Sequence, residues 1–65
     1  MVHETKQRGD RYALLMTVGD VTMRKYFSSY RTLESYTFLA MFTYKRITLR
    51  ALKQKGRRWV ELYRF

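Results

Sequence analysis

An α+β fold is predicted for this chain: a small single domain of β-hairpin, helix and β-hairpin (ββαββ), with one helix packed on an antiparallel sheet. Three observations lead there. Two stretches rich in strand-forming residues each fold back about a glycine, at Gly19-Asp20 and near Gly56. The segment between them, "SSYRTLESYTFLAMFTYKR", carries apolar residues at helical spacing. Six Tyr, four Phe and one Trp make 17% of the 65 residues aromatic, enough to build a core and too much for a disordered tail.

Residues 1–10, "MVHETKQRGD", are polar and read as a flexible N-terminal segment, with the domain proper at 11–65. "RYALLMTVGDVTMRKYF" then forms the first hairpin, with strands near 11–18 and 21–27. Gly19-Asp20 suits a two-residue type II′ or I′ turn, which needs positive φ early in the loop. That turn pairs Val18 with Val21, Met16 with Met23, Leu14 with Lys25 and Tyr12 with Phe27. Because side chains alternate across a strand, Tyr12, Leu14, Met16, Val18, Val21, Met23 and Phe27 share a core face. Arg11, Ala13, Leu15, Thr17, Thr22, Arg24 and Tyr26 share the other.

A helix is expected near 32–45. Ser28, Ser29 or Thr32 offers a cap, Glu34 suits the positive N-terminal end, and Lys45-Arg46 suits the negative end. Leu33, Tyr36, Ala40, Tyr44 and Ile47 recur on one face. The β-forming run "YTFLAMFTY" makes a strand the rival, but no turn signal separates Tyr44 from Ile47 to return it. Phe38 and Phe42 fall on a second apolar strip, which a helix on one small sheet cannot bury. They are the expected partner interface, for self-association as a homodimer or for another protein.

Strands near 47–53 and 58–64 form the second hairpin. A two-residue Lys55-Gly56 loop sets Ala51 opposite Val60, Leu49 opposite Leu62 and Arg50 opposite Glu61. Ile47, Leu49, Ala51, Val60 and Leu62 then face the core, and Thr48, Arg50, Leu52, Trp59, Glu61 and Tyr63 face away. A three-residue loop with Gly56 at a left-handed bulge position slips the pairing by one and moves Trp59 and Tyr63 into the core.

Fourteen Lys and Arg against five Asp and Glu give a net charge of +9. Such an excess favours an anionic partner: nucleic acid (DNA or RNA) or an acidic protein surface. No acidic residue lies between Glu34 and Glu61, while Lys45, Arg46, Arg50, Lys53, Lys55, Arg57 and Arg58 all do. Cations that follow a phosphate backbone, beside aromatic platforms for bases, are what sequence-tolerant nucleic-acid binding requires. The candidate contact set is Arg46, Arg50, Lys53, Lys55, Arg57, Arg58, Trp59 and Tyr63. The bland alternative makes Trp59 and Tyr63 core residues and the tip charges a solvated turn.

No cofactor and no metal are expected. Cysteine is absent, His3 stands alone, and no glycine-rich phosphate loop or convergent carboxylate set appears among Glu4, Asp10, Asp20, Glu34 and Glu61. The expected role is therefore not enzymatic. It is a small basic nucleic-acid-binding accessory or regulatory protein that contacts phosphates through its C-terminal hairpin. The alternatives are a protein-binding modulator or inhibitor of a cellular enzyme and, further off, a metal-independent ribonuclease working with Arg, Lys, Tyr and His. No stretch is long and apolar enough to span a bilayer, and the N-terminus lacks the apolar core of a secretion signal, so a cytoplasmic location is expected.

Overall fold

The computed structural model describes residues 6–65, together with the backbone of Val2 and His3. The element order is β1 (Val2–His3), β2 (Tyr12–Val18), β3 (Val21–Phe27), α1 (Tyr30–Thr43), β4 (Thr48–Lys55) and β5 (Arg58–Arg64). The strands form one sheet in the order β1-β3-β2-β4-β5, antiparallel except for the short parallel pairing of β1 with β3. This is the ββαββ domain expected, with one addition. Val2 and His3, within the segment read as flexible, lie beside Met23 and Arg24 at one edge. The side chain of His3 and all of Glu4 lie outside the described residues.

The first hairpin has the expected register, from Val18 opposite Val21 to Tyr12 opposite Phe27. Gly19 has φ of 59° and Asp20 does not go positive, the sign pattern of a type II′ turn. The two hairpins join because β2 pairs with β4, setting Leu14 beside Ala51 and Met16 beside Leu49. β2 thus becomes a central strand, and Leu14, Met16, Leu49 and Ala51 lie fully under the helix layer with Phe27.

The helix starts two residues earlier than expected and ends two earlier. Ser29 is the N-cap, its Oγ accepting from the Thr32 amide at 3.2 Å. At the other end Thr43 is the last helical residue and Tyr44 turns extended, so Lys45 and Arg46 lie beyond the helix rather than on its last turn. Glu34 likewise falls after the first turn, which carries no acid. Leu33 and Ala40 are buried as expected, with Tyr36 and Ile47 packed against them, but Tyr44 is exposed. Thr37 is buried on the same face. Its hydroxyl donates to the Leu33 carbonyl at 2.8 Å, a bond within the helix.

The second hairpin corrects both expected registers. Its loop is Gly56-Arg57, with Lys55 opposite Arg58, Gln54 opposite Trp59, Lys53 opposite Val60 and Leu52 opposite Glu61. Gly56 has φ of 63° and Arg57 does not go positive, repeating the turn chemistry of Gly19-Asp20. Moving the loop by one residue shifts each pairing by two, which preserves faces, so Val60 still faces the helix and Trp59 and Glu61 still face away. A bulge then intervenes: Leu52 opposes Glu61 but Ala51 opposes Tyr63, leaving Leu62 as the extra residue. The bulge exchanges the expected places of Leu62 and Tyr63. Tyr63 packs against the core, and its hydroxyl lies 3.1 Å from Thr37 Oγ1. With the Thr37 proton committed to Leu33, Tyr63 is the donor.

Candidate nucleic-acid interface

The helix covers one face of the sheet and leaves the other open. Across the open face, one row reads Tyr26, Ala13, Leu52 and Glu61 from β3 to β5, and the next reads Arg24, Leu15, Arg50 and Arg64. Trp59 stands beside the first row, opposite Gln54. β3 and β5 are three strand spacings apart, roughly 14 Å, yet the Tyr26 and Trp59 ring centroids are 6.0 Å apart and tilted by 51°. Both rings must therefore lean inward across the sheet. Ala13 allows this: its small side chain lies beneath them, and with Leu52 it is buried on a face that has no helix over it. The result is an aromatic ridge bordered by arginines.

Arg50 and Arg64 converge on one carboxylate oxygen, Glu61 Oε1, at 2.8 Å and 3.0 Å. The Arg50 hydrogen bond first, and the Arg64 one second, hold the Glu61 carboxyl below its usual range. Arg24 donates from Nη1 to the Tyr26 hydroxyl at 3.4 Å, and its buried Nε has no hydrogen-bond partner among the described residues. No carboxylate among the described residues pairs with Arg24. Among the described residues, this face thus carries three guanidiniums and one acid, which pairs with two of them.

The hairpin tip adds Lys55, Arg57 and Arg58, all exposed. Beside it is a polar hollow of about 240 Å³ lined by Lys6, Asp10, Arg11, Gln54 and Gly56. Hydrogen bonds place it there: the Gln54 amide donates to the Arg11 carbonyl at 2.8 Å, and the Gln7 amide donates to the Asp10 carboxylate at 2.9 Å, closing a turn.

Not all of the expected contact residues come together. Arg50 and Trp59 share the open face, and Lys55, Arg57 and Arg58 surround the tip beside it. Lys53 lies on the helix-covered face, its ammonium 5.9 Å from the Tyr12 ring centre. Tyr63 is on that same face, bound to Thr37, and is no platform for a base on the open side. Arg46 precedes β4 at the end opposite the tip, roughly 25–30 Å away along the strand at ~3.3 Å per residue. Arg24, Tyr26 and Arg64 are the residues that sequence reasoning missed. The alternation of the first hairpin had placed Arg24 and Tyr26 on the non-core face. Only the order of strands shows that this face is continuous with Trp59.

Among the described residues no group of three His, Cys, Asp or Glu is placed to hold a metal ion, and no helix is long and apolar enough to cross a membrane. Comparison with protein-family models, characterised proteins and solved structures finds no match to this chain.

Proposed function

We propose that this chain is a small nucleic-acid-binding protein of accessory or regulatory type, holding a single strand across the open sheet face. The observation that carries the reading is the Tyr26–Trp59 ridge, with Arg24, Arg50 and Arg64 in the adjoining row and Lys55, Arg57 and Arg58 at its end. Bases stack on the rings, which every base can do, while guanidiniums and ammoniums take the phosphates. An open sheet face displaying aromatics and arginines suits unpaired bases better than the deep groove of a duplex, because stacking needs a base face exposed. The reading assigns binding and no turnover.

The test is a salt titration of fluorescence anisotropy with single- and double-stranded oligonucleotides. Single strands should bind more tightly, with affinity falling as salt rises by a slope of about −0.7 per phosphate contact. Replacing Lys55, Arg57 and Arg58 with Gln should flatten that slope, and so should Arg24→Gln with Arg50→Gln. Unchanged affinity and slope in both variants would refute the reading. A stoichiometric protein partner with no oligonucleotide binding would replace it with a protein-binding modulator.

A further inference from the structure

On the opposite side of the molecule the helix packs over β2 and β3 and leaves the end of β5 uncovered. Between them is a mainly apolar groove of about 280 Å³, walled by Tyr30, Thr37, Phe38, Met41, Tyr63 and Phe65, with Glu34 as its one charged wall residue. A cavity of roughly 150 Å³ suffices for benzene, so this one accepts a phenyl ring. Next to it stands Phe42, 94% exposed and about half a helical turn from the buried face. Phe38 and Phe65, at 63% and 61%, continue the same surface. We propose that Phe42 and this groove are the two halves of a self-complementary interface, Phe42 of each copy seating in the groove of the other.

Area and charge both favour a second copy as the occupant. At ~200 Å² for each aromatic side chain, Tyr30, Phe38, Phe42 and Phe65 expose roughly 500 Å² together, with Met41 adding to it, near the top of the range for the largest patch of an ordinary monomer. A stable interface takes about 800 Å² from each partner, which the patch and its rim supply. Residues 32–44 carry one charged side chain, Glu34, in a chain of net charge +9. Two such chains meet with the least charge repulsion across this face, which carries one acid and no cation. An acidic partner, by contrast, would require cations here, and within this span there are none. Isologous pairing presents each patch to its own copy and closes after two chains. It also lies on the covered side of the sheet, so it does not rest on the nucleic-acid reading.

Sedimentation equilibrium of the nucleic-acid-free protein, from low to high micromolar concentration, tests this. The wild-type chain should reach twice its 8.0 kDa monomer mass. Phe42→Ser should raise the dimer dissociation constant at least ~10-fold, as loss of a central aromatic anchor does. Its circular dichroism should be unchanged, because the ring touches little within the monomer. Phe65→Ser, which opens the groove wall but keeps the backbone pair with Leu49, should act in the same direction. A monomeric wild-type protein throughout the range, or a Phe42→Ser variant that still dimerises, would overturn the proposal. A monomer that instead floats with anionic phospholipid vesicles, and loses this with Phe42→Ser, would overturn it in favour of a membrane contact.

Discussion

Trp59→Ala separates packing from binding on the open face. Trp59 is 36% exposed, so of roughly 250 Å² about 160 Å² is covered, with Tyr26 among its neighbours. At ~25 cal/mol per Å² that coverage is worth ~4 kcal/mol, and residual burial in the unfolded chain lowers it to about 2.5–3.5 kcal/mol. A 65-residue domain has a total stability on the order of 3–10 kcal/mol. The alanine variant therefore loses a large share of its stability, and Trp59→Phe, which keeps a ring over Ala13, loses less. Urea unfolding followed by circular dichroism measures both losses. Binding is then read below the onset of unfolding, where stacking predicts a further ~1–3 kcal/mol deficit for Ala on single strands, about 5- to 150-fold in affinity, and a smaller one for Phe. Trp59 is the only tryptophan, so its fluorescence in the wild-type protein should be quenched as a single strand is added. A folded alanine variant with wild-type affinity, together with an unquenched wild-type signal, would sink the claim that Trp59 is a base platform.

Two further outcomes follow from the hydrogen bonds. Tyr63→Phe removes the donor to Thr37 but leaves Thr37 bonded to Leu33, so it should cost about 0.5–1.5 kcal/mol in urea melts and leave nucleic-acid affinity unchanged. Glu61 has its carboxyl pKa lowered by Arg50 and Arg64, so its contribution to stability is present above the unfolded-state value and is lost as pH falls through the folded one. Glu61→Gln should flatten the acid limb of the stability profile below the ordinary carboxylate range. At neutral pH it should strengthen oligonucleotide binding several-fold, because two guanidiniums are released.

Local chemistry determined the elements. Gly19 sets a turn whose backbone requires φ > 0 early, and a two-residue loop leaves one register for the strands on either side, so the pairing from Val18 to Tyr12 was readable residue by residue. Ser29, Leu33 and Ala40 likewise announced a capped helix with one buried stripe. Gly56 follows the same turn rule as Gly19, and applying that rule there points to Gly56-Arg57 rather than Lys55-Gly56.

What local chemistry could not supply is everything that depends on which surfaces meet. Strand alternation divides each hairpin into two faces, but nothing in either hairpin says that β2 pairs with β4. That pairing alone makes Tyr26 and Arg24 neighbours of Trp59 and Arg50. The Leu62 bulge lies beyond local reach as well: within the strand, Leu62 and Tyr63 are equally suited to burial. Tyr63 packs inward, where the buried Thr37 hydroxyl is within 3.1 Å of its own. Turns and caps are decided by the few residues whose dihedrals they constrain. Strand order, bulge position and exposed patches are decided by contacts between residues tens of positions apart, and these exist only once the chain has closed on itself.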